Sequence, residues 1–186
     1  MKHFFLLLLS TITLSCCSKD DNTPTNPVDQ LPPTTQTGAN KVGCLVNGEV
    51  FLPKGSNPLG NPILTCFYQY VNNDWQFGLG FSNNQNSMIR NISIGLNNYE
   101  LNQNITIILK KNNGNVLNNS HANFTINAGG NGLGYVTNDI YKGELKITKL
   151  DQVNNIISGT FWFDAVNSNG VKIEIREGRF DMQYSP

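Results

Sequence analysis

Side chains able to do chemistry are few and widely spaced in this sequence. Beyond the leader the one histidine is His121, in the polar stretch "NNSHAN". A hydrolytic triad of the histidine type would need it as a base. A lone histidine in an asparagine-rich turn is expected to be solvated instead. Asp164 and Glu174 could form the carboxylate pair of a glycoside hydrolase. They alternate with Lys172 and Arg176, so a charge-laced outer sheet face explains them better. Zinc wants closely spaced Cys and His ligands, and one His with two distant Cys does not supply them. Calcium wants carboxylates clustered in one loop, and Asp139, Asp151 and Asp164 are spread out. No Gly-Lys-Ser/Thr phosphate motif is present. The glycines of "NAGGNGLG" (127–134) lack the strand-to-helix setting of a nucleotide loop. The expectation is a chain that is not an enzyme, with no catalytic residue, no metal and no cofactor.

Four cysteines remain. Cys44 and Cys66 could close a disulfide, which is permitted outside the cytoplasm and could add ~3 kcal/mol by restricting the unfolded chain. They could equally be buried free thiols acting as small hydrophobes. The other two, Cys16 and Cys17, stand behind "MKHFFLLLLSTITLS". One Lys, a short apolar run and small residues make residues 1–16 read as a secretory signal peptide. The run is too short for a bilayer, which needs ~20 apolar residues.

This stretch resembles the lipobox of bacterial lipoproteins, in which the cysteine after a small residue is acylated and becomes the mature N-terminus. Several acyl chains on one residue make a firm anchor, since each buried methylene contributes roughly 0.8 kcal/mol. Ser15 precedes Cys16, and Leu14 stands three positions before Cys17, so both registers are open. The following "SKDD" resembles the export signal of Bacteroidota surface lipoproteins, where Lys-Asp-Asp begins two residues after the lipidated cysteine. That spacing favours Cys17, with Cys16 as the alternative, and makes Lys19, Asp20 and Asp21 the export signal.

Residues 17–40 are rich in Pro, Thr and Asn and hold almost no bulky apolar side chain. They are expected to be a lipidated, disordered tether, because they cannot bury enough surface to offset ordering entropy. A flexible coil of residues 18–40 averages ~26 Å end to end, and an extended one reaches ~70 Å. Removing residues 1–16 takes one Lys from 13 basic groups and leaves 12 against 13 acidic ones. That balance, without a basic patch, points away from nucleic acid.

Residues 41–186 are expected to form a single all-β domain. Period-two alternation recurs. The segment 42–51 breaks at Asn47-Gly48, a hairpin signal. Segment 63–71 is followed by Asn72-Asn73-Asp74, and Trp75, Phe77, Leu79 and Phe81 share one face of the next run. Ile92, Ile94 and Leu96 point one way, and 105–109 and 123–126 give weaker signals. In the last strands Leu145, Ile147, Ile157, Phe161, Phe163, Ala165, Ile173 and Ile175 face inward. Lys146, Ser158, Thr160, Trp162, Asp164, Lys172, Glu174 and Arg176 face outward. The reading is an antiparallel, mostly meandering β-sandwich or barrel of eight to ten strands, with 127–134 a long loop or bent strand. The 29 asparagines, clustered between apolar runs, are read as hairpin tips.

Two segments carry a wider resemblance: "GCLVNGEVFLPKG" and "GELKITKLDQVNNIISGTFWFDAVNSNGVKIEIREGRFDMQY". Together they resemble an uncharacterised, flavobacterial-type family of Bacteroidota lipoproteins with a domain of unknown function. The resemblance implies an envelope-tethered β domain and carries over no activity; the lipobox and export signal add the expectation of an outer-membrane lipid anchor and display on the cell surface. The expected role is a non-enzymatic binding or accessory module. It meets the membrane through its N-terminal lipid and takes a glycan or another envelope protein as partner. The alternative is a structural or assembly component of the outer membrane with no small ligand, and a hydrolase is the weaker third. Trp162 is the candidate ligand contact, with Tyr68, Tyr70 and Tyr99 as further aromatics to watch.

Replacing Lys19, Asp20 and Asp21 by Ala is expected to leave acylation and stability intact and to move the protein from protease-accessible to protease-protected on whole cells. Equal surface exposure of the variant and the parent in the native host would defeat the export reading while leaving the lipid anchor untouched.

Overall fold

The computed structural model describes residues 26–56, 60, 62–85, 87–114 and 118–186. The leader, Cys16, Cys17, Lys19, Asp20 and Asp21 lie outside the described residues. A short 3-10 turn, Pro27–Gln30, comes first, followed by eleven strands. The first five are β1 (Lys41–Val46), β2 (Glu49–Phe51), β3 (Leu64–Val71), β4 (Asp74–Gln85) and β5 (Met88–Asn97). Then come β6 (Thr106–Leu109), β7 (Asn119–Ala128) and β8 (Asn131–Val136). The last three are β9 (Gly143–Asp151), β10 (Ile156–Val166) and β11 (Lys172–Gln183).

All named strand pairs are antiparallel, and the sheet folds over on itself in a sandwich-like form without closing into a barrel. One layer runs β3-β4-β5-β7-β8 and the other β2-β1-β11-β10-β9-β6. They join where Val166 of β10 pairs with Val136 of β8. On the opposite margin Ser185 exchanges backbone hydrogen bonds with Cys66 and Tyr68 of β3, at 3.0 Å each. Between the layers lie interlocked rings, including Phe51 with Phe81 and Phe124, Phe77 with Phe180, and Phe81 with Phe161. These rings, with Leu79, Ile92, Ile94, Leu96, Leu145, Ile147, Phe163 and Ile175, make one apolar core. Every inward residue of the last strands that alternation marks is buried.

The strand count exceeds the expected eight to ten because "NAGGNGLG" is neither a long loop nor a bent strand. Gly129 and Gly130 both take positive φ (60° and 89°) and turn β7 directly into β8. Asn47-Gly48 and Asn72-Asn73 do the same at the β1–β2 and β3–β4 turns. Left-handed φ at both central positions is what a two-residue turn matching strand twist requires, and asparagine tolerates it.

Three further expectations are corrected. Tyr68 is buried in the core, where its hydroxyl accepts a hydrogen bond from the Leu101 amide. His121 lies within β7 rather than in a turn. The tether does not run free to residue 40. Leu31 is buried, Pro32 sits over Gly43, and residues 35–39 lie across the outer face of β11 and β10.

What holds that strap is the carboxylate of Asp181, an outward residue of β11. Its Oδ2 accepts from Thr35 Oγ1 (2.6 Å), Thr37 N (3.0 Å), Thr37 Oγ1 (3.2 Å) and Ala39 N (3.2 Å). Its Oδ1 accepts from Gly38 N and Ser158 Oγ, both at 2.8 Å. Ser158 is therefore buried too, although alternation places it on the outer face. Low hydrophobicity argues disorder only where no specific polar site compensates the ordering entropy. Here five hydrogen bonds from the strap to one charged group do so.

Burial alone would raise the Asp181 pKa, but the hydrogen bonds from Thr35, Thr37, Gly38 and Ser158 outweigh it and hold the carboxyl well below the usual carboxylate range. A depressed folded-state pKa means the stabilisation is complete above the unfolded value, near 4, and fades as the pH falls below it. Asp181→Asn is expected to cost about 2–4 kcal/mol at neutral pH, since an amide cannot accept all six bonds. It should also flatten the pH dependence between about 2 and 5 that the parent shows. Urea denaturation of both proteins across that range checks this, and an unchanged midpoint would refute the knot.

Candidate functional site

The outer face of the β6-β9-β10-β11 layer carries two rows of side chains in register. One row crosses the strands as Thr106, Lys146, Thr160 and Arg179. The next crosses as Ile108, Glu144 and Trp162 and ends at Arg176 and Glu177. Facing strands lie ~4.8 Å apart and successive same-face residues ~6.7 Å apart, so the two rows form a compact patch.

The second row ends in a β-bulge. Phe161 pairs with Gly178 and Phe163 with Ile175, so Trp162 alone faces both Arg176 and Glu177. Glu177 takes the left-handed conformation (φ 55°) that such an extra residue demands. Gly178 sits so close to Phe161 that an added Cβ would lie 2.4 Å from its ring. The bulge brings the Arg176 guanidinium over the Trp162 indole, 5.5 Å from the ring centroid.

Arg176 is held from several sides. It donates to the carbonyls of Phe163 (3.2 Å) and Ile175 (2.9 Å), to Asp164 Oδ1 at 2.6 Å, and pairs with Glu174 at 3.6 Å. Lys172 bridges the same two carboxylates, at 3.7 Å from Asp164 and 2.5 Å from Glu174. The Lys172 hydrogen bond lowers the Glu174 pKa and raises that of Lys172 itself. Asp164 and Glu174 are thus neighbours, as a hydrolytic pair would be, yet both are tied into this lattice.

Trp162 is 39% exposed. Its indole N–H donates to Glu144 Oε2 (3.3 Å), and Arg176 occupies one ring face. Around it opens a depression of about 500 Å³, walled by both rows and, on the strap side, by Thr34. Arg179 is engaged by the carboxylate and carbonyl of Glu177.

The other expected residues lie elsewhere. Tyr70 is exposed and tilts against Trp75, while Tyr99 is half-buried. The His121 ring covers Gly95 on the outer face of the other layer, and burial lowers its pKa. Cys44 and Cys66 form no bridge. Both are free, buried members of the core, and burial pushes Cys66 up to about 12 and Cys44 higher still. Among the described residues no three His, Cys, Asp or Glu side chains gather as a metal site.

Trp162 was legible as a candidate from alternation, and Lys146 and Thr160 as its outward companions. The bulge and Thr34 carried no signal in the sequence. The family model described as Domain of unknown function (DUF6252) matches residues 79–182. No curated protein and no solved structure matches the chain.

Phe163 is fully buried beside the half-open Trp162. Phe163→Ala is therefore expected to destabilise by about 3–5 kcal/mol, and Trp162→Ala by less than half as much. Chemical denaturation of both variants checks the assignment of the two faces. A larger loss for Trp162 would overturn it.

Proposed function

We infer that the chain, which belongs to the DUF6252 family of domains of unknown function, is a lipid-anchored binding module displayed on a bacterial cell surface that takes a saccharide without transforming it. The observation that carries the reading is the Trp162 depression: a fixed indole in a polar concavity, on a face the core does not need. Sugars present apolar C–H faces to an aromatic ring and hydroxyls to the groups around it. An amphipathic, pre-positioned tryptophan ringed by polar side chains meets both needs.

Arg176 and Glu144 hold the indole in place before any ligand arrives, so little ordering cost remains to be met on binding. The threonine hydroxyls of the depression are short donors and acceptors suited to sugar hydroxyls. The paired state of Asp164 and Glu174 supports binding over hydrolysis, since each carboxylate faces a cation rather than an open site. The anchoring part of the proposal rests on Cys17, or Cys16, behind the apolar leader and on Lys19, Asp20 and Asp21 after it.

Affinity electrophoresis of the mature protein through gels containing polysaccharides of different backbones tests the site. The parent is expected to be retarded by at least one polymer, and Trp162→Ala to lose about tenfold or more in affinity, near 1.4 kcal/mol. Equal retardation of parent and variant, or retardation of neither, would overturn the saccharide reading.

A further inference from the structure

We propose that the saccharide is acidic, a chain of uronic acid residues whose ring carboxylate is held by the Lys146 ammonium. This rests on the reading of the Trp162 depression as a saccharide site, and it follows from how the charges there are partnered. Arg176 is engaged by Asp164 and Glu174, and Arg179 by Glu177. Glu144 accepts the indole N–H. Lys146 alone among these charged groups has no ion pair and no side-chain hydrogen bond among the described residues. The hydroxyls of Thr34, Thr106 and Thr160, which wall the same depression, are likewise without a partner among the described residues. An available ammonium set among available hydroxyls, beside an aromatic face, is the complement of a sugar ring bearing one carboxylate.

The spacing agrees. Lys146 lies directly opposite Thr160, one strand and one same-face step away from Trp162. Such diagonal neighbours are about 7–8 Å apart at the backbone. A pyranose stacked on the indole projects its carboxylate part of that way, and the four-carbon lysine stem spans the rest. An ammonium is a compact point charge with three rotatable donors, suited to an anion whose position varies from one sugar to the next. The preference is local: without residues 1–16 the chain has 12 basic against 13 acidic groups, so it has no general affinity for polyanions. A phosphate monoester fits less well, because its near-double charge would face Glu144 and Glu177.

The test compares a uronan such as polygalacturonate with the same polymer after carboxyl reduction, which turns each carboxylate into a neutral alcohol. The mature protein is expected to bind the uronan about tenfold more tightly, the gain of one charge-assisted hydrogen bond, with affinity falling as salt rises. Lys146→Met keeps the apolar stem and removes the charge. It should equalise the two polymers. Equal binding of both polymers by the parent would overturn the acidic preference and leave the saccharide reading standing. A preference that survives in Lys146→Met would overturn the role given to Lys146, and polyglutamate bound as well as the uronan would overturn the acidic-saccharide reading. Failure to bind any polymer would defeat both readings together.

Discussion

One carboxylate decides where this domain begins. Asp181 points out of β11, away from the core, and would ordinarily be solvated. It is instead covered by residues 35–39, whose amides and hydroxyls converge on it together with Ser158. A buried charge is tolerable only when its hydrogen-bonding capacity is filled. The strap and the carboxylate therefore need one another: residues 35–39 bring no buried apolar side chain of their own, only Leu31 ahead of them does, and the carboxylate could not be buried without them. With that end of the outer face closed, Thr34 is brought to the rim of the depression and the remaining wall is supplied by the sheet.

The same layer shows how one sheet serves two purposes. Its inner face is given to Phe161, Phe163, Phe180 and their neighbours, which interlock with the rings of the other layer. Its outer face has no such duty and carries charge in an ordered lattice. The bulge at Glu177 is what separates the two parts of that face. Beyond it Lys172 and Arg176 offset the carboxylates of Asp164 and Glu174, and at it Arg176 is turned onto Trp162. Without the additional residue in β11, Trp162 would face a single partner and the guanidinium would not be aimed at the indole.

The sequence by itself determined most of the strands and their faces, though not β8. Alternation is a local signal with a period of two, so Phe77, Leu79, Phe81, Ile92, Ile94 and the inward residues of β9, β10 and β11 could be placed without knowing their partners. Asn47-Gly48 and Asn72-Asn73 marked two of the two-residue turns for an equally local reason, the left-handed φ they tolerate, whereas Gly129-Gly130 stayed hidden in a longer glycine run. Trp162 and Lys146 were visible as outward residues on the same grounds. Only the tertiary structure decided what depends on residues far apart in the chain. The strap meets Asp181 across a separation of up to 146 residues, and no composition of residues 31–40 announces a partner that distant. Tyr68 and Ser158 are buried because other segments cover them, and Cys44 and Cys66 stay unpaired as packed core side chains. The depression exists because a bulge, a strap and two rows of side chains meet in space, and pairing register is a property of strands together, not of any one of them.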